Sequence, residues 1–261
     1  MIESLHSPHI ARVKALIGSK GAKERREQGL FVAEGVQCAR EALTSVGGPQ
    51  LKILYATESG LSKIAELDLH SIEIVEVSDA VMKAMSDTVS PQGLISLCYK
   101  PEIDISELVA TGTSTFIYLH EIQDPGNAGT ILRTADAMGI SAIITSPDSV
   151  DMFSPKVVRS TAGSLWHIPV FEGVPFSRVD ERFPGIQKFL LSSHAYTSIL
   201  DLTIAGDCVA IFGNEARGVD AASLGVSVTE VTIPMSGRAE SLNLSAAASI
   251  VMFTLSSKVA G

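Results

Sequence analysis

Cysteine is scarce. The chain has three, Cys38, Cys98 and Cys208, far apart and without paired spacing. That argues against a disulfide framework or a thiolate zinc site and suggests reduced thiols in a cytoplasmic protein. No cluster of His, Cys, Asp and Glu has metal-ligand spacing, so the sequence assigns no metal centre. Long apolar runs are also missing. The longest uncharged segment, Ser241–Ser257, contains Ser241, Asn243, Ser245, Ser249 and Thr254. It falls short of the roughly 20 apolar residues that a membrane span needs, and reads better as a buried helix. His6, Pro8 and His9 interrupt the N-terminus, so no signal peptide is expected. No G-x-G-x-x-G follows a strand and no G-x-x-x-x-G-K-[ST] occurs, which leaves Rossmann dinucleotide sites and P-loops without support. No G-x-S-x-G elbow announces a Ser-His-Asp triad.

Excess positive charge is absent as well. The net charge is −9, which argues against generic nucleic-acid binding. The balance is uneven. Residues 1–100 carry 11 basic and 12 acidic side chains, and residues 101–261 carry 9 and 17. Arg12, Lys14, Lys20, Lys23, Arg25 and Arg26 face only Glu3 and Glu24 within residues 1–26. An RNA contact would begin there, with Lys23, Arg25 and Arg26 as the candidates. The same run also reads as a solvated helix face.

What the chain does have is hydrophobic residues, 46% of 261, enough for a sizeable core and one large or two ordinary domains. Ser7 and Pro8 open a helix over 7–19, and 18–29 is a loop or a second short helix. Strands follow at Leu30–Ala33, Leu51–Ala56, Ile72–Val77 and Leu94–Tyr99. Helices at Glu34–Val46, Leu61–Leu67 and Asp79–Met85 alternate with them, the pattern of an α/β layer domain. A polar stretch marks a boundary near 105–113, dividing the chain into 1–105 and 106–261. A second series follows, with strands at Phe116–Leu119, Ala142–Thr145, Ile168–Phe171, Phe189–Ser192, Val209–Phe212 and Val231–Ile233. Its helices are Asn127–Met138, Pro155–Thr161 and a nearly uncharged one after Ser241.

Three polar stretches sit at strand ends, where open α/β sheets bind ligands. The first is His120–Gly139, HEIQDPGNAGTILRTADAMG, with Asn127 as the expected N-cap. Its bland reading is loop-to-helix chemistry, with Arg133 pairing to Asp136. The second is FGNEARG at Phe212–Gly218, and the third IPMSGRAESLNLS at Ile233–Ser245. Gly213 and Gly237 would let backbone approach a ligand without a Cβ in the way. A further stretch, SPKVVRSTAG at Ser154–Gly163, puts Lys156 and Arg159 on one helix face, to hold a phosphate or simply to decorate a surface.

The order N-x-G-x-x-x-R, then G-N-E-x-x-G, then I-P-M-x-G-x-x-E-S-L-N-x-S-x-A resembles the three motifs of the SpoU (TrmH-like) RNA 2′-O-ribose methyltransferases of the SPOUT superfamily. The match covers residues 114–261. REQGLFVAEG at Arg26–Gly35 resembles, more weakly, the substrate-binding domain found ahead of many such enzymes, which is similar to an RNA-gripping ribosomal-protein fold. The resemblance implies a SPOUT-type parallel sheet with a deep trefoil knot, preceded by a small α/β RNA-binding domain. It implies S-adenosylmethionine as cofactor and a ribose 2′-hydroxyl of structured RNA as substrate, ribosomal RNA ahead of transfer RNA. It also implies a homodimer with no metal. By the same resemblance Gly213, Asn214, Ile233, Met235 and Leu242 hold the cofactor. Asn127, Arg133, Glu215, Ser241 and Asn243 form the active site, and Arg133 reaches the cofactor of the other subunit. The rival expectations are a non-catalytic RNA-binding or assembly factor of the same fold, and a knotted enzyme that methylates a base nitrogen.

Overall fold

The computed structural model of the chain describes residues 1–259. They pack as two compact units, one of Met1–Glu102 with Asp151–His167, the other of Ile103–Val150 with the chain from Ile168 onward.

The first unit begins with α1 (Pro8–Ile17), whose N-terminus is capped by the Ser7 side chain accepting from His9 N, with Pro8 in the first turn. After α2 (Gly21–Gln28) come β1 (Leu30–Glu34), α3 (Val36–Thr44), β2 (Leu51–Ala56), α4 (Glu58–Ser62), β3 (Ile74–Glu76), α5 (Asp79–Met85) and β4 (Leu94–Tyr99). The expected helix at Leu61–Leu67 starts earlier and is shorter, because Thr57 caps it by accepting from Gly60 N. The sheet order is β1-β4-β2-β3, with β4 antiparallel to both β1 and β2 and β3 parallel to β2. Alternation along β2 feeds two cores. Ile53 and Tyr55 pack with Ile10, Val13, Leu16, Met82 and Met85 on one face, and Leu54 and Ala56 with Ala39, Ile64 and Leu94 on the other.

The segment Asp151–His167 carries α7 (Pro155–Ser160) and packs within this unit. The Phe153 ring meets Phe31 edge-on at 5.1 Å, and Trp166 Nε1 donates to the Pro49 carbonyl at 2.9 Å. Arg25 is 4% exposed; its Nε and Nη2 each lie 2.8 Å from Asp151 Oδ2, and its Nη1 donates to the Leu16 carbonyl. The reading of Arg25 as an RNA contact is therefore corrected: its donors are committed inside the fold, because a buried guanidinium needs paired partners.

The second unit is a seven-stranded sheet whose paired strands are all parallel. Its members are β5 (Thr115–Leu119), β6 (Ala142–Thr145), β7 (Val170–Phe171), β8 (Gln187–Leu191), β9 (Thr197–Ser198), β10 (Cys208–Phe212) and β11 (Thr229–Thr232). The order is β7-β6-β5-β10-β8-β11-β9, so the 192–196 connection leads from β8 to β9 with β11 seated between them. Phe116, Tyr118, Ile144, Val209 and Ile211 pack with Phe176 and Val179 of α8 (Phe176–Arg182), a helix the sequence reading does not anticipate. On the opposite face lie α6 (Pro125–Ala137) and α9 (Leu244–Val259), packed against each other and against the sheet. No helix of the described residues is long and apolar enough to cross a membrane. The thiols of Cys38, Cys98 and Cys208 are buried, and burial raises the pKa of each.

Removing one partner of a buried ion pair is costly, so Arg25→Ala should destabilise the protein by about 3 kcal/mol or more. Lys23→Ala and Arg26→Ala, on exposed side chains, should stay within about 0.5 kcal/mol. Urea unfolding of the three variants checks this.

Candidate active site

Because the paired strands of the second sheet run in parallel, their C-terminal ends share one edge, where ligand sites of open α/β sheets form. A cavity of about 410 Å³ opens there, between the ends of β10, β8 and β11 and the start of α9. Leu191, Phe212, Ile233, Leu242 and Ala247 supply apolar wall, and Ser192, Ser193, Asn214 and Ser241 supply polar groups.

Three loops meet at one side of it. The α6 N-cap is Asp124, whose Oδ1 accepts from Asn127 N at 2.7 Å; the expectation that Asn127 caps this helix is corrected. With the cap supplied by Asp124, the Asn127 amide is available for tertiary contacts. Its Nδ2 donates to Glu215 Oε1 at 3.4 Å, and its Oδ1 accepts from Asn243 Nδ2 at 3.1 Å. The Glu215 carboxylate also accepts from Asp124 N at 3.1 Å and Gln123 N at 3.3 Å, a favourable place for an anion beside a helix N-terminus. Asn243 caps α9 with its Oδ1, which accepts from Ser245 N at 2.9 Å and Ala246 N at 3.3 Å. One hydrogen-bonded chain, Glu215–Asn127–Asn243, thus joins residues from all three sequence motifs.

The turn after β10 is tied down separately. Asn214 is 9% exposed; its backbone bridges Gly218, its Oδ1 accepts from Ala216 N at 3.0 Å and Arg217 N at 3.2 Å, and its Nδ2 donates to the Glu121 carbonyl at 2.9 Å. Glu121 sits at φ 49°, unusual for a residue with a Cβ, and its carboxylate pairs with Arg217 at 2.5 Å. Gly213 is needed here for a different reason from the one read in the sequence. A Cβ on it would lie 2.4 Å from Gly218 C and 2.5 Å from Val219 N, so the space is filled by its own turn. Around Gly237 a Cβ would meet nothing within 4 Å.

The SpoU rRNA Methylase family model matches residues 114–253. The chain belongs to this family. A second model, the MRM3-like substrate binding domain, matches residues 8–96. Among SpoU relatives, the Bacillus subtilis 23S rRNA (guanosine(2553)-2′-O)-methyltransferase RlmP is 33% identical over 234 residues, 89% of this chain and 91% of that protein. The crystal structure of an AdoMet-bound rRNA methyltransferase from Sinorhizobium meliloti is 28% identical, with a TM-score of 0.85 over 97% of this chain and 96% of that one. The SpoU methyltransferase AviRb from Streptomyces viridochromogenes shares the fold at 24% identity and a TM-score of 0.86, over 97% and 98% of the two chains.

In this SpoU chain the cavity is lined by Gly213, Asn214, Ile233, Met235 and Leu242, and by Asn127, Glu215, Ser241 and Asn243. Arg133 is the exception. It lies exposed on α6, outside that lining, and forms no hydrogen bond or ion pair among the described residues. Sequence reasoning missed Leu191, Ser192 and Ser193 at the end of β8, Thr232, and Ala247 on α9. The end of an expected strand was the available signal for the β8 residues. Lys23 is exposed and 3.6 Å from Glu27, Arg26 and Lys156 are exposed, and Arg159 pairs with Asp87 at 3.2 Å. No group of three or more His, Cys, Asp or Glu among the described residues could hold a metal ion.

The contrast between the two glycines is testable. Gly213→Ala should destabilise by about 1–3 kcal/mol because the turn must open, whereas Gly237→Ala should leave the melting temperature unchanged. Thermal unfolding followed by circular dichroism distinguishes them.

Proposed function

We infer that this chain is an S-adenosylmethionine-dependent RNA 2′-O-ribose methyltransferase acting on ribosomal RNA. The observation that carries the reading is the Glu215–Asn127–Asn243 chain on the rim of a largely apolar cavity at the strand ends. The cavity suits S-adenosylmethionine. Its volume lies within the ordinary range for small-molecule sites, its apolar wall fits an adenine ring, and Ser192, Ser193, Asn214 and Ser241 offer polar partners for ribose and amino acid groups. When bound, the cofactor supplies a methyl group made electrophilic by its sulfonium.

The rest is done by the protein. Ile233, Met235 and Leu242 hold the cofactor's apolar part, and the 213–218 turn presents backbone to it. Asn127 and Asn243, locked to each other, orient the hydroxyl that attacks, and Ser241 helps hold the reacting ends. Glu215 keeps the start of α6 in place through the Gln123 and Asp124 N–H groups. Arg133 lowers the pKa of the ribose hydroxyl and clamps the neighbouring phosphate. Arginine stays protonated in proteins, which makes a clamp the better role than a base.

Residues 1–105 form the RNA-binding domain in this reading and 106–261 the catalytic one; Lys23 and Arg26 are exposed cations of the former, and Lys156, on the Asp151–His167 segment that packs with the first unit, adds a third. Arg133 outside the cavity fits a homodimer in which each Arg133 serves the cofactor of the other subunit. Support comes from α9, where Ile250 is 39% and Phe253 63% exposed, and from Leu200 at 60%, whose carbonyl is tied to α9 by Lys258 Nζ at 2.8 Å. We also assign the trefoil knot to the place where the 192–196 connection passes β11.

Two experiments test this. Purified protein given radiolabelled S-adenosylmethionine and ribosomal RNA should yield a 2′-O-methylated nucleoside by mass spectrometry; a base-methylated product, or none, would reject the reaction. Arg133→Ala and Leu242→Trp subunits, each inactive alone, should recover about a quarter of the wild-type rate when mixed equally and allowed to exchange. Half the dimers are then mixed, and each has one intact site. No recovery, with mixed dimers shown to form, rejects the shared site.

A further inference from the structure

The first unit has a cavity of its own, about 210 Å³, between β1, the start of α3, the 88–92 loop and α7. Its lining includes Glu34, Gly35, Ser90, Gln92, Arg159 and Ala162. Several features converge on it. Arg159 Nη1 is buried and has no hydrogen-bond partner, while Nη2 of the same side chain is held by Asp87. A buried orphan donor calls for an explanation such as a ligand. Ala162 adopts φ 50°, strain of the kind that persists where a site over-determines the backbone. The 86–92 loop is pinned from both ends. The Glu34 carboxylate accepts from Ser86 Oγ, Thr88 Oγ1 and Asp87 N, and Gln92 Oε1 accepts from Val36 N at 2.8 Å. That leaves Arg159 Nη1 as a buried donor with no partner, and beside it Gln92 Nε2, on an exposed side chain, as a donor with no protein partner among the described residues.

The surroundings decide the class of ligand. Burial and then the Glu41 carboxylate push the Cys38 thiol up to about 11, with Glu34 adding to it and Arg159 opposing. Asp87 pairs with the guanidinium and the Glu34 carboxylate lines the same cavity, so the cavity is poorly suited to a phosphate. Its volume suits one planar heterocycle, and its donors suit carbonyl or ring-nitrogen acceptors. RNA is read with specificity mainly through unstacked bases whose edges are hydrogen-bonded. We propose that this cavity takes a single splayed-out base of the RNA substrate, read through two acceptors on its edge by Arg159 and Gln92. The inference rests on the RNA methyl-transfer reading above.

Fluorescence anisotropy with four fluorescein-labelled single-stranded RNA 8-mers, each a homopolymer of one base, tests it on the full chain. One base should bind at least roughly fivefold tighter than the others, the discrimination a paired edge contact provides. Arg159→Lys keeps a cation for Asp87 but removes the second nitrogen, and Gln92→Glu keeps the oxygen that accepts from Val36 N but removes the Nε2 donor; each should abolish the preference. Melting temperature and calorimetric affinity for S-adenosylmethionine should stay at wild-type values, and they separate this inference from the methyltransferase reading. Equal affinity for all four RNAs, binding to none, or a preference that survives in a folded variant overturns the base pocket. Loss of cofactor binding in the wild-type protein would overturn the methyltransferase reading instead.

Discussion

The amide of Asn127 is held at both ends, by Glu215 on one side and Asn243 on the other, and the geometry of the cavity's rim depends on it. The two bonds fix the loop after β10, the start of α6 and the start of α9 with respect to one another. They are possible because Asp124 takes the capping role that Asn127 would otherwise fill. Each neighbour is committed in turn. Glu215 is occupied by the Gln123 and Asp124 N–H groups, and Asn243 by the first turn of α9. An amide that donates and accepts at once gives the three loops a shared reference point without a buried charge.

Around that reference the protein builds a ligand edge from turns. The 213–218 turn closes on itself so tightly that Gly213 has no room for a Cβ, and Asn214 anchors it to Glu121. Glu121 accepts a left-handed backbone to receive that anchor, and its carboxylate meets Arg217 as well. Strain at one residue is thereby offset by several hydrogen bonds, a common arrangement where a site must be preorganised.

The charge distribution is easier to interpret with the first unit in view. Of the basic residues near the N-terminus, Arg25 is structural, stapling Asp151 to the end of α1. A chain with net charge −9 has few cations to spare for a broad electrostatic grip. Recognition by shape and by unstacked bases needs fewer of them than neutralising many phosphates does.

Much of this protein is legible in its sequence because the signals are local. Leu51–Ala56, Asp79–Met85, Leu94–Tyr99 and Ala142–Thr145 are bounded as the apolar patterns and caps say, and the three motifs at strand ends all reach the cavity edge. The limits appear where a residue's role depends on a partner far along the chain. Whether Asn127 caps its helix or joins Glu215 and Asn243 depends on residues 88 and 116 positions away. Whether Arg25 meets solvent depends on Asp151, 126 positions on. Gly213 is required in either reading, but only the packed turn shows that backbone, not ligand, fills its space. Sequence alone determined the alternation of strands and helices and which residue types gather at strand ends, because periodicity and turn chemistry act over a few residues. Tertiary structure decided which of those polar groups are committed to one another and which remain for a ligand, because burial and hydrogen-bond pairing are settled only when distant segments meet.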